Sequence, residues 1–234
     1  MWPGPYGNWG SRKSLMASLD QSLVRMGLDY VDVFYSHRYD PETPLEETMQ
    51  ALVDIVRQGK ALYVGLSKYP AGKAEEAYRY LEARDVHCLL YQGRYNLFDR
   101  APEEEGILGQ ARAYGVGFIA FSPLAQGLLT SRYLQGVPED SRMAQGRFLK
   151  REVLTEAVLG KIKALDRVAA DRGQTLAEMS LAWVLKDELV TSVIIGASSV
   201  AQLEDNLKAL RKVDFSKEEL DRIEAICHTP DGGQ

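Results

Sequence analysis

The chain has 234 residues, 45% of them hydrophobic and 26% charged, with a formal net charge of −5. That length supports a real core in one large domain or two small ones. The acidic balance argues against nucleic acid as a partner, although a local basic pocket can still take a phosphate. Two cysteines, Cys88 and Cys227, show no CxxC and no Cys/His ligand spacing, which excludes a zinc site or disulfide framework and fits a reducing compartment.

The first residues, MWPGPYGNWGSRK, lack the apolar run of a signal peptide. No stretch approaches the roughly 18 consecutive apolar residues of a membrane span. A cytoplasmic location, with no membrane partner, is the expectation.

Helical and strand patterns then alternate along the chain. Ser11 is placed to cap a helix whose apolar positions Leu15, Met16, Leu19, Leu23 and Met26 recur at helical spacing, and Gly27 stops it. A strand over 30–35 follows. Thr43, Pro44 and Glu46 suggest a capping box for a helix carrying Leu45, Met49, Leu52, Val53 and Val56, ended by Gly59. The pattern continues with strand 61–67, helix 71–84, strand 88–92, helix 103–114 and strand 116–122. Residues 123–154 read as a long irregular connection, a length usually tied to function or mobility. Helices at 156–171 and 175–187, strand 191–196 and a helix at 200–210 complete the alternation. A last helix starts at Ser216, where Glu219 completes a capping box.

Short apolar strands alternating with amphipathic helices predict a parallel sheet in an α/β fold. Five strands suffice for an open sheet; a closed barrel of the (β/α)8 kind needs eight. Gly115, Gly117 and Ala120 match G-x-G-x-x-A, but the match enters a strand rather than leaving one for a helix, so it reads as chance.

The strand ends hold the functional signal. The first delivers His37 and Arg38, the second Ser67 and Lys68, the third Gln92 with Tyr95 and Asn96 just beyond. The fourth ends in Phe121 and Ser122 before Pro123, Leu124, Ala125, Gln126 and Gly127, and the fifth in Gly196, Ala197, Ser198 and Ser199. Such a set suits an amide-bearing ring ligand, with Phe121 available for stacking. The plainer reading is that connecting loops are polar in any protein. His37 suits acid–base work near neutral pH, or is simply a histidine at a strand end.

Other candidates read as structural. His87 and His228 are surface residues, Cys88 a small core residue, and Glu103–Glu105 a solvated helix start. Arg12 and Lys13 sit unfavourably at a helix N-terminus, which marks either a solvated face or a nearby phosphate.

Taken in order, GLDYVDVFYSHR, PETPLEETMQAL, GKALYVGLSKY, YQGRYN, FSPLAQGLLTSRY, SVIIGAS and QLEDN resemble the aldo/keto reductases, closest to the L-glyceraldehyde 3-phosphate reductase branch and similar to the potassium-channel β-subunit reductases. The resemblance implies a (β/α)8 barrel that reduces aldehydes and ketones to alcohols with NADPH, by direct hydride transfer without metal. It implies that 1–234 is one reductase domain: an incomplete barrel of about five βα units, lacking the family's first three. Carried over by position, His37 is the catalytic residue contacting the substrate carbonyl. Ser67 and Gln92 hold the nicotinamide carboxamide, and Phe121 stacks on its ring. Ser122, Pro123, Leu124, Ala125 and Gln126 lie under the pyrophosphate, with Arg132 and Arg142 near the phosphates. Gly196, Ser198, Gln202, Asp205 and Asn206 surround the adenosine 2′-phosphate and adenine. Lys68 stands where relatives often have Asn, Ser or Arg.

The family's catalytic tyrosine, lysine and aspartate precede the region of resemblance; Tyr6, Tyr35 and Tyr39 lie outside its tyrosine motif. The expected substrate is a small carbonyl compound such as glyceraldehyde 3-phosphate or methylglyoxal. The alternatives are a cofactor-binding regulatory module and an inactive fragment or mis-started reading of a longer gene. In an open five-stranded sheet the edge strands are expected to be exposed or paired with a second copy in a homo-oligomer.

Overall fold

A computed structural model describes residues 10–134 and 151–228. The described chain divides into two compact units. One comprises residues up to Gly93 together with Pro102–Ile119; the other comprises Arg94–Ala101 and the residues from Ala120 onward.

The first unit opens with α1 (Arg12–Met26). The Ser11 side chain accepts the Ser14 N–H, and Gly27 closes the helix at φ 66°, a left-handed conformation that glycine reaches without a Cβ clash. Strand β1 (Val31–Ser36), α2 (Leu45–Arg57), β2 (Ala61–Ser67), α3 (Ala71–Glu82) and β3 (Cys88–Arg94) follow. Strands β1 and β2 pair in parallel, as do β2 and β3. Leu19, Leu23, Ile55 and Ala61 form a buried cluster, against which Met16, Val31 and Phe34 pack. The parallel register sets Tyr35 opposite Gly65. A Cβ on Gly65 would stand 2.5 Å from the Tyr35 ring, so the close approach of ring and backbone requires glycine.

Two local expectations change. The expected capping box at the start of α2 does not form: Pro44 is the N-cap residue and makes no side-chain cap bond. The Thr43 hydroxyl instead donates to Asp40 Oδ2 at 2.7 Å. The single helix expected over 103–114 is two, α4 (Ala101–Glu104) and α5 (Ile107–Ala113), because Gly106 takes φ 75° between them.

Strand β4 (Gly117–Phe121) begins in the first unit and ends in the second. The sheet order is β1-β2-β3-β4-β5, so β1 is an edge strand, with Val31, Val33, Phe34 and Tyr35 half-buried and Asp32 exposed. In the second unit short 3-10 turns at Ala125–Gly127 and Ser131–Tyr133 lead away from β4. Helices α6 (Glu156–Asp171) and α7 (Leu176–Val184), strand β5 (Ser192–Ile194), α8 (Val200–Leu207) and α9 (Lys217–Cys227) follow. Helices α7 and α9 both start with complete capping boxes, Thr175 with Glu178 and Ser216 with Glu219. Ile162, Leu165, Val168, Met179, Trp183 and Ile223 are buried in this unit. No described helix is long and apolar enough to cross a membrane.

Candidate functional site

In the first unit the strand register gathers three predicted residues. Ser36 pairs with Leu66, so His37 and Ser67 leave neighbouring strands at the same level, and Ser67 is itself paired with Gln92. Gln92 lies inside β3 rather than at its end, two residues before Arg94. Ser67 is buried and Gln92 half-buried, whereas His37 is exposed. Lys68 takes φ 55°, a conformation uncommon for a non-glycine residue and typical of sites where structure over-determines the backbone.

Partial loss of hydration, followed by the positive charges of Lys68 and Arg38, holds the exposed His37 imidazole below its usual value of 6.5. It is therefore neutral at pH 7 and carries one N–H to donate. Asp40 anchors the connection after His37. Its Oδ2 accepts the Gly10 N–H at 2.7 Å as well as the Thr43 hydroxyl, and its Oδ1 accepts the Glu42 N–H at 3.0 Å. Beneath, the hydroxyls of Ser36 and Tyr69 share a buried hydrogen bond of 2.7 Å, and Tyr91 donates to the Tyr69 carbonyl at 2.7 Å. Burial raises the Tyr35 phenol and pushes Tyr69 and Tyr91 up to about 12. These phenols stay protonated at pH 7, and Tyr69 and Tyr91 belong to the buried core.

The second unit contains a cavity of about 730 Å³. Nine predicted residues line it: Phe121, Ser122, Pro123, Leu124, Gln126, Arg132, Gly196, Ser198 and Gln202. Ser122, Ala125, Gln126 and Gly127 all have positive φ, at 54°, 47°, 58° and 102°. The resulting turn is closed by Ala125 N–H to the Ser122 carbonyl at 2.9 Å and Gly127 N–H to the Leu124 carbonyl at 2.8 Å. Across the cavity the Gln202 Oε1 accepts both the Ser198 N–H, at 2.7 Å, and the Ser198 hydroxyl, at 3.0 Å. Ser199 caps α8 through the Gln202 N–H. The Arg132 guanidinium and a turn of left-handed residues on one cavity fit an anionic phosphate group. Phe121, half-buried at the end of β4, presents an aromatic ring to the same space.

Some predicted residues stand apart. Ala125 shapes the turn without lining the cavity, and Asp205 instead pairs with Lys208 at 2.6 Å. Asn206 is buried, and its Nδ2 has no hydrogen-bond partner. Arg142 lies outside the described residues. Gly127 and Ala197, named with the strand ends, also line the cavity, as do Thr130, Tyr133, Ile194 and Ile195, whose nearness in sequence to predicted residues was the available signal.

The minor candidates resolve as structure. Arg12 pairs with Asp54, and its backbone N–H meets Glu47 Oε1 at 3.0 Å, which accounts for a cation at a helix start without a phosphate. Cys88 is buried and its thiol is pushed up to about 12, far from a nucleophile's range. Among the described residues no group of three or more His, Cys, Asp or Glu is placed to hold a metal.

With this geometry in place, comparison with known proteins is specific. The family model described as aldo/keto reductase family matches residues 1–228. An L-glyceraldehyde 3-phosphate reductase of Escherichia coli O157:H7 is 52% identical over 236 aligned residues, covering 99% of this chain and 68% of that protein. A probable voltage-gated potassium channel subunit beta of Oryza sativa subsp. japonica is 38% identical, covering 97% of this chain and 70% of that protein. A solved thermostable aldo-keto reductase in complex with the inhibitor epalrestat superposes with a TM-score of 0.70 at 30% identity, over 92% of this chain and 67% of that one. These matches do not establish the expected lack of three N-terminal units or an incomplete barrel. They do establish the lineage: the chain belongs to the aldo/keto reductase family of oxidoreductases.

Proposed function

We propose that this protein binds NADP(H) through the cavity of its second unit and serves the reduction of small aldehydes, with glyceraldehyde 3-phosphate and methylglyoxal as representative substrates. The observation that carries the reading is the cavity's combination of Arg132, the left-handed Ser122–Gly127 turn, Ser198 with Gln202, and the Phe121 ring. When bound, the nicotinamide cofactor supplies the hydride. Arg132 offsets phosphate charge, the turn presents backbone to the pyrophosphate, and Phe121 gives the nicotinamide a flat apolar partner.

His37 has the role of hydrogen-bond donor. Its neutral imidazole N–H orients and polarises a carbonyl oxygen without itself losing a proton. Ser67 and Gln92, neighbours across β2 and β3, offer a hydroxyl and an amide to a carboxamide group. The preference for a phosphorylated or very small aldehyde rests on the likeness to the glyceraldehyde 3-phosphate reductases.

A second reading, a cofactor-binding regulatory module, is favoured by one observation. It is the likeness to probable voltage-gated potassium channel beta subunits, 38% and 37% identical to this chain. Steady-state assays separate the readings. With NADPH and glyceraldehyde 3-phosphate or methylglyoxal, the reductase reading predicts saturable loss of NADPH absorbance. Binding of NADPH with no loss under any carbonyl substrate selects the module.

A further inference from the structure

We propose that Asn96 is a positioning residue for the nucleotide cavity: its carboxamide holds the Ser122 carbonyl and thereby fixes the left-handed turn that lines the cavity. The inference rests on the cofactor reading above.

Asn96 lies two residues after β3 and is 2% exposed. The two ends of its side chain do different work. Oδ1 accepts the N–H groups of Phe98, at 2.9 Å, and Asp99, at 3.0 Å, closing a tight turn in which Asn96 and Asp99 also exchange backbone hydrogen bonds. Nδ2 donates to the Ser122 carbonyl at 3.0 Å. Two donors on one side and a carbonyl on the other fix which end is oxygen.

The Ser122 carbonyl also accepts the Ala125 N–H at 2.9 Å, so one oxygen anchors the turn from inside and from outside. Ser122 needs that anchoring: φ 54° is a backbone region that residues with a Cβ rarely adopt. The neighbouring residue repeats the brace, since the Tyr95 N–H donates to the Phe121 carbonyl at 3.4 Å. The Tyr95 ring is seated on buried Trp183, with centroids 5.3 Å apart. The brace is thus mounted on the core of the second unit. Asn96 lines none of the cavity and acts on the ligand only through the shape of the turn.

The test compares wild type, Asn96→Asp and Asn96→Leu by fluorescence titration with NADPH across pH 5 to 8, with thermal melts alongside. Asn96→Asp keeps the acceptor for Phe98 and Asp99 but replaces the donor with a carboxylate. Asn96→Leu removes the donor without adding charge. Loss of one such buried donor predicts about tenfold weaker NADPH binding for both variants near pH 8. As pH falls and the carboxyl protonates, Asn96→Asp regains an O–H donor and recovers affinity, while Asn96→Leu stays weak throughout. Wild-type affinity in both variants overturns the inference, as does equal, pH-independent weakening. If Asn96→Leu does not fold, wild-type affinity of Asn96→Asp at pH 8 overturns it alone. If neither folds, Asn96 is a residue of the fold rather than of the cavity. A wild-type chain that binds no NADPH overturns the cofactor reading itself and the inference with it.

Discussion

The chemistry proposed for the ends of β1, β2 and β4 is assigned to single residues whose types were readable in sequence. His37 follows a strand, and partial loss of hydration, then the nearby cations Lys68 and Arg38, depress its proton affinity. For a base with a lowered folded-state value, the unfolded chain binds the extra proton first. The stability linked to His37 is therefore fully present above pH 6.5 and falls as pH drops through the folded-state value. An NMR titration of the imidazole should give a midpoint below 6.5; a midpoint at or above 6.5 contradicts the electrostatic account. What sequence did not show was the partner of each residue. Asn96 stood out only as a polar residue past a strand, because its bond to Ser122 joins positions 26 residues apart. Arg12 looked like an isolated cation because Asp54 lies a helix away.

At the level of elements, hydrophobic period and caps were legible where the signal is local. Ser11, Gly27 and Ser216 bound their helices as their side-chain chemistry dictates. The Thr43 cap failed because Asp40 captured the hydroxyl, and the helix over 103–114 split because Gly106 reached a backbone region open to it at little strain. A sequence pattern does not rank such competitors.

Arg172 is a long-range anchor of α9, alongside the Arg222–Asp171 and Arg100–Glu224 pairs. The buried Arg172 guanidinium meets Glu219 at 2.6 Å and donates to the Asp214 carbonyl at 3.0 Å. It also lies 3.6 Å over the Phe215 ring. Replacing Arg172 with Met keeps the volume but strips Glu219 and the carbonyl of their partner. Chemical denaturation should show a loss of about 1–3 kcal/mol, and stability equal to wild type contradicts this role.

On the scale of the molecule, the alternation of elements announced an α/β fold with a parallel sheet, and the ordered motifs announced the family. The division into two compact units was not visible, because the break falls inside β4 and in the 94–101 connection rather than in a linker of distinct composition. The second unit brings residues from 121–132 and 196–202 onto one cavity, and that convergence of a guanidinium, a left-handed turn and Ser198 with Gln202 is the physical basis for proposing a nucleotide there.

The central claim is that this cavity holds NADP(H). Fluorescence titration of the full chain with NADPH, compared with Arg132→Ala, tests it most directly. The account predicts saturable binding by the wild type, competed by an adenosine 2′,5′-bisphosphate, and about tenfold weaker binding by folded Arg132→Ala. Absence of saturable binding in the folded wild type, or equal affinity in the two proteins, would contradict it.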